Sequence, residues 1–175
     1  MSHARFIIKM IRIGLLSDTH HYLDPKIGDY FSGCDEIWHA GDFGTIALAN
    51  SLQKIAPVRG VYGNIDGQDI RQVFPLTLRF ELEGMKFLMT HIGGNPGRYA
   101  LPIRREVEEN TPDVFICGHS HILKIVRDKQ DHNMLYLNPG AAGKQGFQLY
   151  RTIVRFEINS GKLQNMEVIT LGERA

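Results

Sequence analysis

The chain has little of several features that mark specialised classes of protein. Among its 175 residues there are only two cysteines, Cys34 and Cys117, and they form no C-x-x-C motif. This count excludes a disulfide framework. We expect two reduced thiols, and a single disulfide between them is the alternative. No apolar run approaches the ~20 residues that a membrane helix needs, so we expect no membrane partner.

An excess of charge of either sign is also missing. The formal net charge is +1, from 20 basic and 19 acidic residues. A chain without a positive excess has no field that would hold a long nucleic acid, so we expect no such partner. Because a signal-peptide cleavage site is absent as well, a cytoplasmic location is expected. The share of hydrophobic residues, 43%, is that of an ordinary globular protein.

The length fits one domain, and no repeat, low-complexity segment or linker divides the chain. We predict a single domain over residues 10–175. Residues 1–9 are interpreted as a leader or tag-like segment, with Met10 as a candidate start.

Strands alternate with helices in the first half of the chain, whereas hairpins dominate the second half. This order favours an α/β sandwich of mixed sheets. Thr45 is a plausible N-cap for the first predicted helix. The predicted elements are strands at 11–16, 35–40, 58–62 and 114–117, hairpins at 76–90, 122–137 and 152–170, and helices at 45–55 and 104–110.

Each buried strand is followed by a segment that contains Asp, Asn or His. Ligands of open α/β sheets bind beyond the carboxyl ends of the strands, so these segments are expected to meet at one site. In chain order they are Ser17-Asp18-Thr19-His20, Gly41-Asp42, Gly63-Asn64-Ile65-Asp66, Thr90-His91 and Gly118-His119-Ser120-His121.

One such segment alone is weak evidence, because a histidine at a strand end is more often a hydrogen-bonded polar residue than a metal ligand. Asp18 and His20 are spaced i, i+2, so on an extended chain both point to one side and can hold one ion, whereas His21 points away into solvent. The same spacing is predicted to place His119 and His121 on one face. Five segments of this kind in one small domain predict a metal site.

These motifs, in this order, resemble those of the calcineurin-like metallophosphoesterases, whose pattern is D-x-H, G-D, G-N-H-[DE], H and G-H-x-H. The resemblance runs from Ile11 to Gly143 and includes Leu137-Asn138-Pro139-Gly140, which is similar to a turn of the small bacterial and archaeal phosphodiesterases. It implies a four-layer αββα sandwich of two mixed β-sheets flanked by helices, with the metal site at the C-terminal ends of the strands.

The resemblance also implies a ligand set for two divalent metal ions. Asp18, His20 and His121 would hold the first ion, and Asn64, His91 and His119 the second. Asp42 would bridge them, and Asp42, Asn64 and His91 would act in catalysis. Imidazole and carboxylate ligands suit manganese, which we expect, with nickel, iron or zinc as alternatives.

A site of this kind implies hydrolysis of a small phosphodiester, and also of a phosphomonoester as the alternative, by metal-activated hydroxide. The family further implies a homo-oligomer as a candidate assembly. Two other readings are a nuclease of the same superfamily and a non-catalytic, metal-binding interaction scaffold similar to the retromer subunit Vps29.

Ile65 departs from the family pattern, because it occupies the position of the histidine that follows the asparagine. Isoleucine cannot supply a proton to a leaving group. We therefore predict a preference for esters with acidic leaving groups, with a diester preferred over an alkyl monoester.

Overall fold

A computed structural model describes residues 10–130 and 133–174. The predicted leader, residues 1–9, lies outside the described residues, so its interpretation stays a prediction. Within the described part, no helix has the length and apolar character needed to cross a membrane.

The first sheet joins the two ends of the chain. Its order is β12-β11-β1-β2-β3. The three strands β1, β2 and β3 run parallel, while β11 is antiparallel to both β1 and β12. The strands are β1 (Ile11–Leu16), β2 (Glu36–His39), β3 (Val58–Gly60), β11 (Tyr150–Asn159) and β12 (Lys162–Glu173).

The second sheet comes from the middle of the chain and has the order β4-β5-β8-β10-β9. Strands β5, β8 and β10 are parallel to one another, and the antiparallel strands β4 and β9 form the edges. The strands are β4 (Thr77–Leu82), β5 (Met85–Thr90), β8 (Val114–Ile116), β9 (Leu123–Asp128) and β10 (Met134–Pro139).

Helices cover the outer faces of both sheets. Three helices pack against the first sheet through Ile27, Leu52 and Ile70, which belong to one apolar cluster with residues of that sheet. The second sheet packs against Ile103 and Val107 of the fourth helix. The predicted four-layer αββα sandwich is therefore confirmed. The helices are α1 (Lys26–Phe31), α2 (Ile46–Gln53), α3 (Gln68–Arg71) and α4 (Leu101–Glu109).

The main core lies between the two sheets. Trp38 stands at its centre, with ring centroids of Phe87 at 4.9 Å, Phe80 at 5.0 Å and Phe156 at 5.6 Å. These edge-to-face contacts add to the burial of apolar area. Because Trp38 Nε1 donates to Glu36 Oε2 at 2.8 Å, the indole is buried without an unsatisfied donor.

The structure adds elements that the sequence pattern did not predict. Helices α1 and α3 span 6 and 4 residues, too few to show a helical period. Helix α4 begins at Leu101 rather than at Arg104, because Pro102 is accommodated in its first turn, where the missing N–H is not needed. The predicted Thr45 cap is confirmed, since its side chain accepts a hydrogen bond from Leu48 N at 3.3 Å.

The glycine-rich segment after His91 is not an irregular loop. It forms a two-stranded ribbon of β6 (Gly94–Asn95) and β7 (Arg98–Tyr99). Tyr99 is buried, and its hydroxyl donates to Asp128 Oδ2 at 2.6 Å, which holds the ribbon against β9.

Candidate metal centre

The parallel strands of both sheets end at the same edge of the sandwich. Gly118 N, after β8, donates to His91 O, after β5, at 3.0 Å. Across the two sheets, His119 N donates to Asp18 Oδ2 at 3.1 Å. The loops that carry the candidate ligands are therefore hydrogen-bonded to one another within and between the sheets.

The loop after β1 has a left-handed backbone, with φ of +54° at Asp18 and +45° at His20. Such values are uncommon outside glycine, so neighbouring structure must impose them. Asp18 N donates to Gly41 O and His20 N to Asp42 O, both at 3.0 Å. The extended conformation predicted here is wrong, because these bonds curl the loop. Asp18 and His20 still converge, and His21 is exposed as predicted.

The loop after β8 is curled in the same way, with φ of +65° at His119 and +58° at His121. The extended conformation on which the prediction of one shared face rests is therefore absent from this loop. His121 Nε2 lies 3.1 Å from Asp18 Oδ1. The His119 ring instead stands 5.2 Å, centroid to centroid, from the ring of His91. The two histidines thus have different neighbours in the site.

A first group of candidate ligands consists of Asp18, His20 and His121, whose ligand atoms all lie within 4.8 Å of one another. The Nε2 atoms of His20 and His121 are 3.2 Å apart. Because the Oδ2 atom of Asp18 accepts the His119 N–H, its Oδ1 atom is the one that faces the imidazoles. This arrangement has the size of a site for one cation.

A second group consists of Asp18, Asp42 and His91, which are all buried. Asp42 Oδ2 lies 3.2 Å from His91 Nε2 and 3.5 Å from His20 Nε2. Its other oxygen accepts a hydrogen bond from Ile65 N at 3.1 Å. Asp42 Oδ2 therefore stands between histidines of the two groups.

A backbone carbonyl fixes the orientation of the His91 ring. His91 Nδ1 lies 2.8 Å from Ala40 O, and a carbonyl oxygen only accepts, so Nδ1 carries the proton. In the neutral ring this leaves the lone pair on Nε2, which points at the two carboxylates. A backbone carbonyl that orients a histidine in this way is typical of metal-ligating imidazoles.

The histidines of the site differ in their affinity for protons. Burial lowers the pKa of His91, but Asp42 and Asp18 outweigh it, so the pKa lies above the usual value. The pKa of His121 is raised against burial by Asp18. Burial keeps the pKa values of His20 and His119 below the usual value. Protons would therefore compete with a metal ion more strongly at His91 and His121 than at His20 and His119.

Two buried atoms at the centre lack hydrogen bonds in the described structure: Asp18 Oδ1 and His91 Nε2. Their residues are 0% and 1% exposed. Buried polar atoms are nearly always hydrogen-bonded, so these two need an explanation. A cation that accepts both as ligands satisfies them, and oxygen with imidazole nitrogen suits manganese, iron, nickel or zinc. The residues present thus fit a divalent metal ion.

Asn64 lies in the tight turn after β3 and lines a cavity together with His91. Asp66 holds this turn, because its carboxylate accepts Gly63 N at 2.7 Å and Gly44 N at 2.8 Å. A Cβ atom at Gly63 would lie 2.0 Å from Asp42 Oδ1, so glycine is required for the turn to approach Asp42.

His39 supports the site from inside the first sheet. Its Nδ1 atom accepts Gly41 N–H at 3.1 Å, so Nε2 carries the proton and donates to Thr19 Oγ1 at 3.0 Å. Burial holds the pKa of His39 well below its usual value, and the ring stacks on Phe43 at 3.6 Å. His39 is therefore a neutral, satisfied core group that braces the loops of Asp18 and Asp42.

Asn138 is a positioning residue that the sequence reasoning missed. Its Nδ2 donates to Gly118 O at 2.8 Å and to Ser120 Oγ at 3.1 Å, while Oδ1 accepts Gly140 N at 2.9 Å. The side chain is fully buried. The sequence shows the N-P-G turn as a motif, but only the fold shows that its asparagine supports the loop of His119 and His121.

Known structures share this fold. One, described as a novel archaeal phosphodiesterase, has a TM-score of 0.71 at 22% identity, over 91% of this chain and 100% of the other. Vps29 from Chaetomium thermophilum has a TM-score of 0.69 at 14% identity, over 94% of this chain and 100% of the other. At these identities the likeness concerns the fold alone.

Sequence comparison goes further. A probable metallophosphoesterase from Methanothermobacter thermautotrophicus is 31% identical over 134 residues, which are 74% of this chain and 76% of the relative. The family model described as the calcineurin-like phosphoesterase superfamily domain matches residues 11–161. The chain therefore belongs to the calcineurin-like phosphoesterase superfamily, a group of metallophosphoesterase hydrolases.

Proposed function

We propose that the protein is a dinuclear-metal-dependent phosphodiesterase that acts on a small substrate. The observation that carries the proposal is the pair of buried atoms without hydrogen bonds, Asp18 Oδ1 and His91 Nε2, which lie 3.9 Å apart close to the buried carboxylate of Asp42.

In this proposal Asp18, His20 and His121 hold the first ion, and the separate placement of His121 and His119 supports the division. Asp42 is shared by the two ions. Its position between His20 and His91 favours this role. The second ion takes Asn64, His91 and His119. We propose manganese as the ion, with nickel, iron and zinc able to bind the same ligands.

The bound ions would supply a nucleophile from water near neutral pH and Lewis acidity toward phosphoryl oxygens. The chain contributes incomplete charge balance: Asp18 and Asp42 are the only anionic ligands, so a site with two dications stays net positive, which favours a bound phosphate. Ser17 is fully buried, so it cannot reach a substrate as a nucleophile.

The choice of a diester rests on Ile65. Its backbone N–H is held by Asp42 Oδ1 at 3.1 Å, which places a half-exposed isoleucine side chain next to the bridging carboxylate. An apolar side chain there leaves the departing alkoxide without a proton donor from this position. Substrates whose leaving group needs no proton are therefore favoured.

A non-catalytic scaffold of the Vps29 kind is the second candidate, and the structural likeness to Vps29 is the observation in its favour. The presence of all seven candidate ligands, His20 and Asn64 included, favours catalysis instead.

The proposal is tested by hydrolysis of bis(p-nitrophenyl) phosphate by metal-stripped protein, before and after addition of manganese. We expect turnover only with metal. His20→Ala should abolish it, whereas His21→Ala, a change at the adjacent exposed histidine, should leave it near the wild-type rate. Folded protein that stays inactive with manganese, nickel, zinc and iron would support the scaffold instead.

A further inference from the structure

A cavity of about 350 Å³ opens directly beside the proposed second metal position. Pockets of roughly 300–1,000 Å³ are the size that binds small organic molecules. Two of its lining residues, Asn64 and His91, are candidate ligands, so a phosphate held by the metal centre would lie next to the cavity.

The rest of the lining is mostly apolar. Ile103, Pro102 and Ala100 come from the start of α4, while Leu76 and Ile92 come from the strand ends next to the site. Leu76 is 54% exposed and Ile92 is 46% exposed. Single exposed apolar side chains are ordinary, but here two of them line one cavity together with Ala100, Pro102 and Ile103, and this apolar wall favours a ligand.

One side of the cavity carries an aromatic ring and a cation. Arg71 stacks over the Tyr62 ring at 4.9 Å, and its Nε donates to Asp66 O at 2.8 Å. Tyr62 is thereby held in place beside the apolar wall. A flat ring side by side with aliphatic groups is a surface suited to an apolar ring, because such a ring can bury area against the aliphatic groups and pair with the aromatic one.

We propose that this cavity, the ring pocket, binds an apolar ring carried by one ester group of the substrate. The inference rests on the proposed phosphodiesterase function and narrows its substrate class. The substrate is then a phosphodiester in which at least one of the two esterified groups bears an aryl-like ring.

The test compares the binding of phenylphosphonate and methylphosphonate to manganese-loaded protein by titration calorimetry. The two probes present the same phosphonate to the metals and differ only in the ring. We expect phenylphosphonate to bind about tenfold more tightly, the lower range of what a filled apolar pocket provides. Because the readout is binding, it does not depend on turnover.

A double variant, Leu76→Ser with Ile92→Ser, should remove this preference while leaving the affinity for methylphosphonate unchanged. Both side chains are exposed, so the fold should tolerate the changes. Val73→Ser is the matched control, because Val73 is 61% exposed and lies three residues before Leu76 but outside the pocket lining. Thr77→Trp, which fills the pocket from β4, should exclude phenylphosphonate selectively.

Equal affinities for the two phosphonates in the wild type would overturn the ring pocket and leave the phosphodiesterase proposal intact. An unchanged preference in the double variant and in Thr77→Trp would also overturn it. By contrast, no binding of either phosphonate, together with no hydrolysis of bis(p-nitrophenyl) phosphate, would overturn the phosphodiesterase proposal and the ring pocket with it.

Discussion

The two ends of the sheets both carry charged side chains and a cavity, yet they differ in chemistry. The end opposite the candidate site has the larger cavity, about 760 Å³, lined by Glu108 and Glu109 among others. These glutamates are exposed and paired with arginines one helical turn earlier. At the candidate site the carboxylates of Asp18 and Asp42 are buried and face imidazoles. Burial without complete hydrogen bonding, rather than cavity size, marks the functional end.

The backbone shows the same contrast. At the opposite end, left-handed residues such as Glu83 and Ser160 each precede a glycine in a two-residue hairpin turn, where positive φ is required. At the site, Asp18, Asp42 and His119 have positive φ in loops that are not hairpins. Such conformations persist only where the surroundings impose them, and they are concentrated at functional sites.

Removal of one carboxylate at each end of the sheets should give the largest difference between the two ends. Asp42→Ala should lower the manganese-dependent hydrolysis of bis(p-nitrophenyl) phosphate by more than about 100-fold, the upper range found when even outer partners of a metal site are lost. Glu109→Ala, at the opposite end, should change the rate by less than about twofold, because exposed ion pairs contribute little. Comparable losses in the two variants would mean that the site is placed wrongly.

The second largest difference is expected when a methyl group is added to one glycine at each end of the sheets. In Gly63→Ala the new Cβ would lie 2.0 Å from Asp42 Oδ1 and 2.4 Å from Asp42 N. We expect a loss of stability of about 1–3 kcal/mol from this overpacking, together with a large loss of manganese affinity. In Gly84→Ala the Cβ meets open space but φ is +77°. That variant should lose about 1–2 kcal/mol and keep its activity.

Loss of the Asn138 side chain, which supports the loop of His119 and His121, should give an intermediate effect. Asn138→Ala leaves Gly118 O and Gly140 N without their side-chain partner, which should cost about 1–3 kcal/mol of stability. Because the loop of His119 and His121 loosens, manganese affinity should fall about 10- to 100-fold. Calorimetric titration with manganese measures this loss. A stability loss with unchanged metal affinity would contradict a positioning role.

The leaving-group preference is a smaller, more specific effect. The wild type should hydrolyse bis(p-nitrophenyl) phosphate well and an alkyl phosphomonoester poorly, because Ile65 supplies no proton. Ile65→His should raise the rate on the alkyl monoester by at least about tenfold, since general acid catalysis contributes ~10²–10⁴-fold where it is well placed. Ile65→Leu is the control. A wild-type preference for the alkyl monoester would contradict the prediction.

The smallest effect concerns Glu36, at the start of β2. Burial alone would raise its pKa, but hydrogen bonds from Arg59 and Trp38 hold the pKa below the usual value. A carboxyl with a depressed pKa stabilises the fold above its unfolded pKa of about 4.3, and that contribution is lost as the pH falls through the folded value. Denaturant unfolding at pH 7 should show Glu36→Gln destabilised by up to about 1 kcal/mol, and the difference should vanish in acid. Its activity should be unchanged.

The strand pattern predicted most of the fold. The three hairpins and the buried strands at 11–16 and 114–117 were recognised because apolar runs of this length, bounded by turn residues, have few other structures available to them. Helix α1 was missed, since its two core residues, Ile27 and Phe31, are too few to define a period. The left-handed loops were missed as well, because the hydrogen bonds that curl them come from segments more than 20 residues away.

For this protein the sequence by itself determined the order of strands and helices, the apolar layers and the residues that follow each parallel strand. Their type and spacing were enough to predict a metal site, because strand ends of one sheet must meet at one edge. Only the tertiary structure decided how the side chains face one another: His121 toward Asp18, His119 toward His91, and Asp42 between His20 and His91. The physical reason is that these directions depend on backbone angles imposed by loops of the neighbouring strands and the opposite sheet, which no local pattern encodes.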